Sequence, residues 1–114
     1  MPLYERRTYQ VRIGQMPELA ALYREKAWPV IEAAGLAKHC VGYFITDTGA
    51  LHQLVHIWRF EDDAERRNFW EKLLGIDAFP LVEIRSLLVS QENQLMRGAD
   101  WGPVACPVWL HFQR

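Results

Sequence analysis

Cysteine is scarce in this chain. Only Cys40 and Cys106 carry thiols among 114 residues, far apart and in no Cys-x-x-Cys spacing. That excludes a disulfide framework and a cysteine-based zinc site, and two free thiols are expected. An excess of charge of one sign is also missing. Thirteen Lys and Arg stand against fourteen Asp and Glu, for a formal net charge of -1. Nothing in that balance draws the chain to nucleic acid or to an acidic membrane surface. No apolar run is long enough to span a bilayer. The start, Met1-Pro2-Leu3-Tyr4-Glu5-Arg6-Arg7, has no apolar signal core, so a cytoplasmic location is expected. A nucleophile elbow, a phosphate loop, a dinucleotide fingerprint and internal repeats are all absent.

What is present is a core-forming composition. Half the residues are hydrophobic and 24% are charged, as in an ordinary globular domain, and the length suits one domain. Five Trp, four Tyr and five Phe are a heavy aromatic load. Large rings supply much buried area per residue, and they also line pockets and interfaces.

Periodicity divides the chain. Residues 3–13 alternate, with Leu3, Glu5, Arg7, Tyr9, Val11 and Ile13 on one face, which predicts a strand. Residues 16–34 place Leu19, Leu22, Tyr23, Val30 and Ile31 at helical spacing. Pro29 is a fault in that helix, expected to kink or split it near Ala27-Trp28. Two strands follow over 39–47 and 51–60, joined through Asp47-Thr48-Gly49-Ala50, a hairpin connection. Asp62 with Glu65 three residues on reads as a helix start, and Gly75 as the stop. Residues 82–91 read as a fourth strand, extendable through Met96. The order β-α-β-β-α-β is that of ferredoxin-like α+β domains, with helices on one face of a four-stranded antiparallel sheet. The expected domain spans 1–96. Residues 97–114 are expected to form a short edge strand, an arm or a tail, with an apolar patch at Val108-Trp109-Leu110-His111-Phe112.

Such a sheet leaves one face bare, to be polar or covered by a partner. In residues 51–60, Leu51, Gln53, Val55, Ile57 and Arg59 share one side and are expected to pack on the helices. His52, Leu54, His56, Trp58 and Phe60 share the other. That second side suits a dimer interface enclosing a pocket. Glu5 and Arg7 project together, either to solvent or as a charged pair among apolar neighbours.

The chain resembles the NIPSNAP family. The resemblance rests on Tyr4-Glu5-Arg6-Arg7-Thr8-Tyr9, on Leu22-Tyr23 with Trp28-Pro29, and on Val41-Gly42-Tyr43-Phe44. Gly49-Ala50-Leu51-His52-Gln53-Leu54-Val55-His56-Ile57-Trp58 and Gln91-Glu92-Asn93 complete it. The family usually carries Asn where this chain has His52. The resemblance implies a dimeric α+β barrel, two sheets packed face to face, with Glu5, Arg7, His56 and Trp58 at family-like positions. It supplies no reaction. Related barrels include cofactor-free monooxygenases, small-molecule isomerases and haem enzymes.

His56 is the acid/base candidate, because imidazole ordinarily titrates near neutrality. Against this stands a histidine that merely satisfies a hydrogen bond in an interface. Arg7 can grip a carboxylate with two parallel bonds or simply pair with Glu5. Tyr9, Phe44, His52 and Trp58 complete the expected ligand-binding set. His52 and His56 lie roughly 13 Å apart along a strand, too far to share one metal, so no metal is expected. No cofactor is expected either. Lys38 and His39 beside Cys40 hint at an activated thiol. Two readings compete. One is a homodimer binding an apolar or aromatic small molecule, with His56 driving cofactor-free oxygenation or isomerisation. The other is a scaffold without chemistry. A cavity beside His56 favours the first, and a filled interior the second.

Overall fold

The structure, a computed structural model, describes residues 1–105. Strand β1 (Leu3–Val11) leads into helix α1 (Met16–Leu22), a π-helical turn (Tyr23–Ala27) and α2 (Trp28–Ala33). A 3-10 turn (Ala37–His39), β2 (Cys40–Ile45), β3 (Gln53–Phe60), α3 (Asp63–Leu74), α4 (Leu81–Ser86) and β4 (Leu88–Met96) follow. The sheet order is β2-β3-β1-β4, every pair antiparallel. The fold is the ferredoxin-like α+β architecture that the element order predicts.

Pro29 has the effect its chemistry dictates. It offers no N–H, and its ring crowds the carbonyl four residues back. The helix widens just before it, so that the Trp28 N–H bonds the Tyr23 carbonyl five residues earlier. Such π turns gather at functional sites. Asp62 caps α3 as its spacing suggests: its side chain accepts from the Glu65 N–H at 2.8 Å. The Glu65 carboxylate reaches back to the Glu61 N–H at 3.2 Å.

The expected fourth strand needs correction. Residues 81–86 form a helix, and the strand begins at Leu88. Leu81, Ile84 and Leu87 recur every three residues, and Ile84 and Leu87 are buried on a helical stripe. The strand itself reads Gln91-Glu92-Asn93-Gln94 at its centre. It lies at the sheet edge and is exposed along most of its length, so no alternation marks it. The apolar patch expected in the tail lies outside the described residues.

The face assignment is also overturned. Leu54, His56, Trp58 and Phe60 point under the helices and are buried, joined by Leu3, Glu5, Tyr9 and Val11 of β1. They pack against Leu19, Tyr23, Ala27 and Ile84 at one end and against Ile31, Phe69 and Leu73 at the other. The bare face instead carries Phe44, Val55 and Ile57 toward β2, and Arg6, Thr8 and Gln53 toward the middle. Phe44 lays its ring over Gly42, where a Cβ would come within 3.0 Å of it.

Candidate functional site

Glu5 anchors the site. It is a charged residue with 0% exposure, and three donors surround it. Arg7 Nη1 donates to Oε2 at 2.8 Å. Arg66 Nε and Trp70 Nε1 donate to Oε1 at 2.9 and 2.7 Å. Arg66 and Trp70 stand four apart on α3, so they leave the helix on the same side and reach one point together. A carboxylate out of water is tolerable only when its lone pairs are met this fully. The Arg7 guanidinium lies 4.1 Å above the Trp70 ring, and its Nε donates to the Tyr9 hydroxyl at 3.3 Å. Asn93, its amide oxygen turned toward β1, accepts from Arg7 Nη1 at 3.2 Å.

His56 is the cross-strand neighbour of Arg7. Trp58 Nε1 donates to its Nδ1 at 2.7 Å. An imidazole nitrogen that accepts is unprotonated, so the ring proton sits on Nε2. Nε2 is buried and has no hydrogen-bond partner among the described residues. Burial, and then the nearby Arg7 charge, push the pKa of His56 from 6.5 down to about 3. At neutral pH this imidazole is an uncharged donor. Tyr43 stacks on it at 5.0 Å with planes 10° apart, and Tyr9 meets it edge-on at 4.8 Å.

Between these side chains and the helices lies a cavity of about 40 Å³. Arg7, Tyr9, Tyr43 and His56 line it from the sheet, and Tyr23 from the π turn. Trp70 and Leu74 of α3, Leu81, Ile84 and Arg85 of α4, and Gln91 of β4 also line it. Leu74, Arg85 and Gln91 are exposed, so the cavity opens between α3, α4 and β4. A single water needs about 10–15 Å³ of such space, and a cavity of about 150 Å³ takes benzene. The enclosed part therefore takes a water or the head of a ligand, not a whole aromatic ring.

The NIPSNAP family profile matches residues 4–103. The chain belongs to the NIPSNAP family. Among solved structures it is similar to a NIPSNAP family protein from Agrobacterium tumefaciens, with 28% identity and a TM-score of 0.84. That match covers 91% of this chain and 99% of the other. A NIPSNAP family protein of unknown function from the same organism gives 27% identity and a TM-score of 0.81, covering 90% and 93%. An antibiotic biosynthesis monooxygenase shares the fold at 19% identity and a TM-score of 0.58, over 85% and 98% of the two chains. None of the curated proteins matches it.

In this NIPSNAP domain the site residues expected from sequence divide in two. Glu5, Arg7, Tyr9, His56 and Trp58 come together. Phe44 lies on the opposite sheet face, half exposed. His52 lies in the β2–β3 connection with φ at 59°, its carbonyl accepting from the Val11 N–H at 2.8 Å. Asn and His are among the few residues besides Gly that enter this left-handed region readily. That tolerance lets His52 hold this conformation.

Four partners escaped the sequence reading: Arg66, Trp70, Tyr23 and Tyr43. The first two carried a signal, a cation and an indole four apart on a helix that otherwise shows an apolar side. Tyr23 and Tyr43 resembled plain core residues. Burial pushes the pKa of the Cys40 thiol up to about 11 despite Lys38 and His39 nearby, which works against the activation those neighbours suggested. Among the described residues no group of His, Cys, Asp and Glu has a metal-holding arrangement, and no helix is long and apolar enough to cross a membrane.

Proposed function

We propose that this NIPSNAP protein is a small-molecule binding domain. It takes the polar end of a largely apolar compound into the cavity beside Arg7 and His56, and it works as a homodimer paired through the bare sheet face. The observation that carries the reading is the buried Nε2–H of His56, which has no partner among the described residues and belongs to a residue lining the cavity. An unsatisfied buried donor costs about 1–3 kcal/mol, which a bound acceptor offsets. Arg7 supplies a second donor beside it. The exposed Leu74 and the partly buried Leu81 at the opening offer contact to an apolar body that the enclosed space does not hold.

The same geometry speaks against His56 as an acid/base catalyst. Its Nδ1 is already committed to Trp58, and its pKa near 3 keeps the ring neutral across physiological pH. The homodimer is supported by the bare face, where the exposed Phe44 and the partly exposed Ile57 flank Val55. The test is a fragment screen read by nuclear magnetic resonance. Ligands in this cavity shift the indole N–H signals of Trp58 and Trp70 and the amides of β1 and β3. If no fragment moves those signals, the protein is a scaffold and the binding reading fails.

A further inference from the structure

We infer that the group this cavity receives is a carboxylate, bound as the anion. The inference rests on the binding role proposed above and names its ligand class. Three independent features point to it.

The first is the direction of the hydrogen bonds. His56 presents Nε2–H, because Nδ1 is occupied by Trp58 at 2.7 Å. Arg7 has only donors. Burial raises the hydroxyl pKa of Tyr23 and Tyr43 well above the usual phenol range, so they too keep their protons. Both Glu5 oxygens are filled by Arg7, Arg66 and Trp70. No acidic side chain lines the cavity among the described residues. The tyrosine hydroxyls turn either to donate or to accept, whereas Arg7 and the Nε2–H of His56 only donate, so the group that meets these two must accept.

The second is charge. One carboxylate, Glu5, answers two guanidiniums, Arg7 at 2.8 Å and Arg66 at 2.9 Å. Arg66 has a further acid in Asp63 at 3.4 Å, whereas the other hydrogen-bond partners of Arg7 are the neutral Tyr9 and Asn93. Among the described residues, part of the Arg7 charge is left without a counter-ion. Arg85 adds a second cation at the opening.

The third is size. The 40 Å³ of space leaves room for a small head such as a carboxylate and falls well short of the roughly 150 Å³ that takes a benzene ring. One carboxylate oxygen toward Arg7 and the other toward His56 satisfies both donors with a single group.

Calorimetry with three probes of nearly one shape tests this: benzoate, acetophenone and benzamide at pH 7. Each titration is repeated by nuclear magnetic resonance to place the probe by the Trp58 and Trp70 indole signals. Benzoate is expected to bind at least tenfold more tightly than either neutral probe, and to weaken as salt rises. If acetophenone or benzamide binds as well as benzoate at those indoles, the anion inference falls while the binding role stands. If benzoate binds without moving the indoles, the carboxylate site is elsewhere and the inference also falls. If no probe binds, the binding role itself is lost.

Discussion

Trp58 Nε1 donates to His56 Nδ1 across 2.7 Å, two residues away on the same face of β3. This one bond decides which nitrogen of the imidazole carries the proton. It also leaves the other nitrogen buried and without a partner among the described residues, on a side chain that lines the cavity. A residue type associated with proton transfer is thereby held as a neutral donor, and the consequences can be measured.

The first consequence is a pH dependence of stability. The folded pKa of His56, about 3, lies below its ordinary 6.5. Between those values the unfolded chain binds a proton that the folded chain refuses, so stability falls as pH falls. The contribution is complete above 6.5 and declines by about 1.4 kcal/mol per pH unit below it, from this group alone. Urea unfolding at pH 7 and pH 5 should show the decline, and His56→Phe should show less of it. Equal slopes in the two proteins would mean that His56 titrates normally.

Glu5 is the second place to test. Glu5→Leu leaves Arg7, Arg66 and the Trp70 indole N–H facing an apolar group. Breaking one side of a buried ion pair costs about 3–5 kcal/mol. A loss of that order in denaturant unfolding is expected, with a smaller loss for Glu5→Gln, which keeps an acceptor. A change below about 1 kcal/mol for Glu5→Leu would show that the network holds nothing together.

The backbone at His52 makes a prediction of opposite sign. With φ at 59°, this position suits Gly better than any β-branched residue. His52→Gly should raise stability by about 0.5–1 kcal/mol, and His52→Val should lower it by about 1 kcal/mol or more. Thermal melts of the two variants would read the difference. Equal melting temperatures would contradict the left-handed conformation.

The bare face predicts an assembly. Light scattering after size exclusion should give about twice 13.4 kDa. Ile57→Arg sits on that face, away from the cavity, and should shift the mass to one chain with little change in secondary structure. A wild-type monomer at micromolar concentration would sink the paired-sheet arrangement.

Much of this was legible in the residues themselves. Period two in residues 3–11 and 53–60, helical spacing in 16–33, the Asp62 cap and the Pro29 fault are local properties. Each depends on backbone sterics and near-neighbour hydrogen bonds, which the chain carries with it. The same alternation placed Glu5, Arg7 and Tyr9 on one face and His56 with Trp58 on one face, and the family resemblance drew both groups together. Period two also separated Phe44 from Tyr43 without saying which of them faces inward.

Which face was buried could not be read that way. Both sides of β3 carry apolar residues, Leu54-Trp58-Phe60 on one and Val55-Ile57 on the other. A strand has the same alternation whichever side the helices cover. Docking of α1, α3 and α4 made that choice and put His56 under the helices within a single chain. It also brought Arg66 and Trp70, more than sixty residues along the chain, onto Glu5. The pairing of β1 with β3, the burial of Glu5, and the proton on His56 Nε2 are all tertiary facts. The sequence by itself determined the elements up to α3 and the two sides of each alternating strand. Only packing at long range decided which face became core, because burial and electrostatics depend on what stands opposite a side chain, not on what stands beside it.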